Sequence, residues 1–194
     1  MHVQINITGS TPLLMHSAAS INPEHPLCKE RDLLTRKTAS KRTTEENQEI
    51  RRLEWLLGLY TNGEEVVYPT ANIVRCFKEA GKVTKQGTQI TRGLSLSGIE
   101  ASLSYHRNGH RTVEDLFSDP NFVDVRAVGV GQKRIMRTRP RFMPWAVAVT
   151  GDLFDDVMDV SDLSRIAELA GRAVGLGDNR VNGFGRFDVE VETL

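Results

Sequence analysis

The stretch GLGDNRVNGFGRF, Gly175 to Phe187, restricts the backbone of this chain more than any other. It holds two Gly–apolar–Gly triplets, Gly175-Leu176-Gly177 and Gly183-Phe184-Gly185, separated by Asp178, Asn179, Arg180, Val181 and Asn182. Glycine takes positive φ without steric cost and lets a second backbone come close. The pattern predicts a loop with two sharp bends, each pinned by an apolar side chain. A helical periodicity runs from Asp162 to Ala173 before it. An alternating strand with Phe187, Val189 and Val191 on one face follows it. A helix C-cap accounts for Gly175 but not for all four glycines. Backbone N–H groups gathered in such a loop can face an anion.

Upstream, Val3, Ile5 and Ile7 alternate with polar residues, which predicts a half-buried strand over 2–8. Pro23 and Pro26 mark a loop, and Thr43 with Glu46 forms a capping box that opens a helix ended at Thr61-Asn62-Gly63. Thr70 is placed to cap a helix carrying Ile73, Val74, Phe77 and Ala80. Leu94 to Tyr105 alternates on either side of Gly98, as a hairpin or a bulged strand does. Gly129 and Gly131 turn the chain into RIMRTRPRF, and Trp145 to Val149 is a mostly apolar strand. With insertions at 17–62 and 82–133 set aside, the order is strand 2–8, helix 71–80, strand 134–142, strand 145–150, helix 162–173, strand 184–192. This βαββαβ order is the plan of a ferredoxin-like α+β fold. A single domain over 1–194 is expected, with a helical insertion after the first strand and a basic β-hairpin.

The Gly–apolar–Gly spacing ahead of a strand resembles the glycine-rich signature of the CRISPR-associated RAMP superfamily. The passage YPTANIVRCFKEAGK is similar to the segment where a Pro and small polar residues open the first core helix of those proteins. The resemblance implies a ferredoxin-like, RNA-recognition-motif-like core of backbone-subunit type that handles RNA. It further implies head-to-tail assembly along a strand, or membership of a multi-subunit ribonucleoprotein. The neutral charge, modest length and insertion at 17–62 depart from the family pattern and suit a stand-alone, for instance phage-encoded, relative.

Composition narrows the chemistry. The formal net charge is zero, which argues against a protein that coats DNA generically. Yet from Arg126 to Arg141 there are six cations and no acid, whereas ten acids face four arginines from Asp152 onward. Arg137, Arg139 and Arg141 alternate, so a strand puts them on one face about 7 Å apart, within reach of successive phosphates of a single strand. Lys133 and Arg134 fall near the hairpin tip. The candidate nucleic-acid contacts are therefore Gly175, Gly177, Arg180, Gly183, Gly185 and Arg186 at the loop. Lys133, Arg134, Arg137, Arg139 and Arg141 join them from the hairpin, and Arg75 from the helix over 71–80. The expected ligand is single-stranded RNA, or single-stranded DNA, lying in a groove between the loop and the hairpin.

Catalytic signals are sparse. His16 follows the first strand and is the candidate acid–base group for an alternative reading, a metal-independent endoribonuclease of RAMP type. His106 and His110 bracket an Asn-Gly turn, and His25 with Cys28 is half of a zinc motif. No metal and no cofactor is expected. A second alternative is a small-nucleotide binder or structural subunit whose glycine loop holds a compact phosphate ligand. Trp55, Phe142, Trp145 and Phe187 are the aromatics that could stack on bases. No apolar run approaches a membrane span, Cys28 and Cys76 make no disulfide framework, and the opening MHVQINITG reads as a strand. A cytoplasmic protein without a membrane partner is expected.

Overall fold

A computed structural model describes residues 1–109, 112–131 and 133–194. The chain begins with β1 (His2–Gly9), β2 (Leu13–Leu14), α1 (Pro26–Thr35) and α2 (Thr44–Gly58). Next come β3 (Val67–Pro69), α3 (Thr70–Gly81), α4 (Gly87–Gly93), β4 (Leu94–Leu96) and β5 (Glu100–Tyr105). The hairpin strands β6 (Val123–Val130) and β7 (Lys133–Phe142) follow. The chain closes with β8 (Trp145–Leu153), α5 (Val160–Leu169) and β9 (Phe187–Thr193). The fold is α+β with antiparallel sheets. It divides into two compact units, residues 1–13, 61–106 and 142–194 in the first, and 14–60 and 107–141 in the second.

In the first unit the sheet order is β9-β1-β8-β5-β3, with β4 also on β8. β1 is antiparallel to both its neighbours, pairing Ile5 with Val149 and Val191, and Ile7 with Val147 and Val189. These apolar rows share one face because successive strand residues alternate. α3 buries Ile73, Cys76, Phe77 and Ala80, and α5 buries Leu163, Ile166 and Ala167. The opposite sheet face is polar. Across β9 and β1 it sets Asp188 beside Thr8, Glu190 beside Asn6 and Glu192 beside Gln4. β4 and β5 lie along the same edge of β8, and their register shifts at Ser97–Ile99, where Gly98 takes φ 74°. The bulged-strand alternative is the one adopted. Thr70 is the first residue of α3 rather than its cap, and its hydroxyl donates to the Gly98 carbonyl at 2.8 Å.

The strand expected over 134–142 as part of the main sheet corresponds to β7, which instead joins β2 and β6 in a separate three-stranded sheet. Alternation identifies a strand but not the sheet it enters. The place beside β8 is taken by β4 and β5, inside the stretch read as an insertion over 82–133. In the second unit α2 opens with the capping box formed by Thr43 and Glu46. It buries Ile50, Leu53, Trp55 and Leu57, and the Trp55 Nε1–H donates to the Phe122 carbonyl at 2.8 Å.

Candidate nucleic-acid interface

All four motif glycines adopt positive φ, from 67° at Gly185 to 84° at Gly183. At Gly185 an added Cβ would lie 1.8 Å from the Leu176 carbonyl oxygen, so the two triplets touch through their backbones. Leu176 N–H donates back to the Gly185 carbonyl at 2.8 Å. The remaining donors are also spent inside the protein. Gly175 N–H bonds Ala170 O at 2.8 Å, Gly183 N–H bonds Arg180 O at 3.0 Å, and Gly185 N–H bonds Pro12 O at 2.9 Å. Gly177 N–H bonds the Tyr68 hydroxyl at 2.7 Å. The four glycines therefore do not offer N–H groups to an anion. They fix the shape of the loop, which corrects the phosphate-cradle expectation for Gly175, Gly177, Gly183 and Gly185.

The loop's charge lies in its arginines. Arg186 donates from Nη2 to the Arg180 carbonyl at 3.2 Å, while its Nη1 is buried and has no protein partner among the described residues. Both guanidiniums lie close enough to Cys76 to favour its thiolate. Burial outweighs them, and the thiol is pushed up to about 12. Cys76 Sγ–H donates to the Gly175 carbonyl at 3.2 Å, which ties α3 to the loop. Arg75 is exposed on α3. Tyr68, Cys76, Thr11 and Pro12 hold the loop in place. No local sequence signal marks them, because each lies roughly a hundred residues or more from its loop partner.

The hairpin keeps only part of the arginine row free for a ligand. Arg134 is exposed, Arg137 is half-buried, and Arg141 donates from Nη1 to the Asn121 carbonyl at 2.9 Å. Arg139 is 6% exposed and sits directly across the hairpin from Asp124, itself 5% exposed. A guanidinium in that position stays inside the fold, so Arg139 is withdrawn from the phosphate-contacting set. Arg126 is also committed, since Asp124 accepts from its Nε and Nη2 and holds its pKa above the usual guanidinium value. Lys133 belongs to β7, pairing with Val130 in the hairpin register.

His16 Nε2 lies 3.1 Å from Arg137 Nη1. Arginine has only donors, so this ring nitrogen accepts and the imidazole is neutral with its proton on Nδ1. The nitrogen that would take a proton from a ribose hydroxyl is thus already engaged. Trp55, Phe142, Trp145 and Phe187 are all buried, at 2% exposure or less, and stack on nothing outside the core. His25 Nδ1 accepts from Leu27 N–H at the start of α1, and Cys28 Sγ–H donates to Ala19 O. His110 lies outside the described residues.

The two units differ sharply in charge. The first carries 9 Lys and Arg against 14 Asp and Glu, a net of −5. The second carries 16 against 11, a net of +5. The zero charge of the chain is the sum of an acidic unit and a basic one.

No protein-family model matches the sequence. No curated protein matches it. Among solved structures, a chain from the cryo-EM structure of the Type III-B Cmr-beta complex bound to cognate target RNA is similar over 98% of this chain, with TM-score 0.53 and 11% identity. The likeness is one of fold. This chain spans 60% of that neighbour's length. Among the described residues no helix is long and apolar enough to cross a membrane.

Proposed function

We propose that this chain is a non-catalytic subunit that binds single-stranded RNA through its hairpin unit and associates head to tail along the strand. The observation that carries the reading is the charge segregation, net +5 on the unit that holds the β6–β7 hairpin in a chain of zero net charge. Cations concentrated on one unit attract a phosphate backbone even where the whole protein is neutral. Arg134 and Arg137 are the contacts of this unit, and Arg180 and Arg186 of the glycine loop are candidate contacts of the first unit taken by itself. The polar face of the main sheet, with Asp188, Glu190 and Glu192, repels phosphate, which argues against stacking RNA on the sheet as RNA-recognition modules do.

The order β9-β1-β8-β4/β5 with α3 and α5 supports a ferredoxin-like core in which β4 and β5 together form the second strand. That core, the two glycine triplets and the fold shared with a chain of an RNA-bound Cmr complex support a RAMP-type subunit. An acidic unit and a basic unit on one chain are complementary between successive copies, and such heterologous contacts generate open filaments. The test is affinity against salt and oligonucleotide length for the wild type and Arg134→Ala/Arg137→Ala. Affinity should rise with length and fall steeply with salt, with more protein copies bound to longer strands. Absence of binding to any RNA at low salt would overturn the reading.

A further inference from the structure

On the second unit, a cleft of about 820 Å³ lies between one face of α2, the α1–α2 connection and β7. Its volume falls within the range of sites that enclose small ligands. α2 contributes Asn47, Arg51 and Glu54 at helical spacing, the connection contributes Arg42, and β7 contributes Met136 and Thr138. Met136 and Thr138 alternate with Arg137 and Arg139 along β7, and Ile135, in step with those arginines, joins them at the wall of the cleft.

The lining has two chemical halves. One is apolar: Ile50 is buried, while Ile135 and Met136 remain 40% and 58% exposed. Large apolar side chains left open at the wall of a concave site suit a flat ring, and a thioether packs well against one. The other half is cationic. Arg42 is held in place by donating from Nε to the Lys37 carbonyl and from Nη2 to the Thr35 carbonyl, both at 3.0 Å. This leaves Nη1 for a ligand. Arg51 is exposed, with no partner among the described residues. The cleft's carboxylate, Glu54, accepts from Thr138 N–H at 3.0 Å and is turned to the backbone. Guanidiniums favour phosphate, which accepts several charge-assisted bonds from them.

We infer that this cleft binds a nucleotide, its base against Ile50, Ile135 and Met136 and its phosphate on Arg42 and Arg51. The site does not rest on the strand-binding reading. The occupant is a free nucleotide or one nucleotide of a strand, and the shared chemistry is a planar base with an attached phosphate.

The experiment is calorimetric titration of the full chain with adenosine monophosphate, beside titration with a fluorescent RNA oligonucleotide. Arg51→Ala and Met136→Glu are the variants, because both side chains are exposed and their loss leaves the core intact. Thermal melts confirm folding. A free nucleotide is the occupant if the monophosphate binds one per chain and both variants weaken it by about tenfold or more, with RNA affinity unchanged. A nucleotide of the strand is the occupant if both variants weaken RNA by that factor. The inference is overturned if neither ligand loses affinity in the two variants, or if no ligand binds at millimolar concentration. If the monophosphate behaves as stated while no RNA binds at low salt, the strand-binding reading fails and this one stands.

Discussion

Cys76 Sγ lies 3.2 Å from the Gly175 carbonyl oxygen, joining the buried face of α3 to the first bend of the glycine loop. Burial raises the thiol to about 12, against the opposing pull of Arg180 and Arg186. The consequence is a stability that depends on pH. The folded thiol keeps its proton above pH 9, whereas the unfolded thiol loses it there, so the unfolded state binds fewer protons. The contribution of Cys76 is fully present below about pH 9 and is lost as pH rises toward about 12. Urea unfolding from pH 8 to 10.5 in a Cys28→Ala background should show stability falling with pH. Cys76→Ala should flatten that fall. In the same background, Cys76 should resist alkylation at pH 8 until the protein is unfolded.

The two triplets answer differently to an added methyl group. At Gly185 a Cβ meets the Leu176 carbonyl at 1.8 Å, with φ 67°. At Gly183, φ is 84° but nothing lies within 4 Å of the new atom. Gly183→Ala should therefore cost only the positive-φ strain, about 1–2 kcal/mol. Gly185→Ala adds a backbone clash and should cost well over that, about 4 kcal/mol or more, or prevent folding. Equal losses in chemical denaturation would show that the backbone contact between the triplets is not what the second glycine serves.

These contrasts show how far residue patterns reach. Positive φ is a local demand, so the bends at Gly175, Gly177, Gly183 and Gly185 were legible from residue type alone. The strand β1, its alternating partner β9 and the Thr43–Glu46 capping box were legible for the same reason. The use of the loop's N–H groups was not, because their acceptors at Pro12 and Tyr68 are distant in sequence. Nor was the sheet that β7 joins, since period-two alternation says nothing about partners. Arg139 reads as a solvent cation, and its burial follows from where β7 packs, which alternation alone does not tell.

Burial separates two arginines of one strand. Arg139 is buried, so Arg139→Ala should destabilise the second unit by about 2 kcal/mol or more, the cost of emptying a packed site. Arg134 is exposed, and Arg134→Ala should leave the melting temperature unchanged while weakening RNA binding. Its salt dependence should be shallower by about 0.7 in log–log slope, the share of one phosphate contact on a single strand. An unchanged slope with an unchanged affinity would remove Arg134 from the interface.

His16 offers the check on catalysis. Its Nε2 accepts from Arg137, so the ring has no free lone pair at the nitrogen a general base would use. Prolonged incubation of the wild-type protein with labelled RNA, without added metal, should return the strand intact. Arg137→Ala removes the donor from Nε2 and with it one hairpin phosphate contact, so affinity should fall while the RNA still stays whole. Cleavage by the wild type that disappears in His16→Ala, with binding retained, would establish the endoribonuclease reading in place of the binding subunit. Cleavage appearing only in Arg137→Ala would instead mean that the Arg137–His16 bond holds a latent base in check.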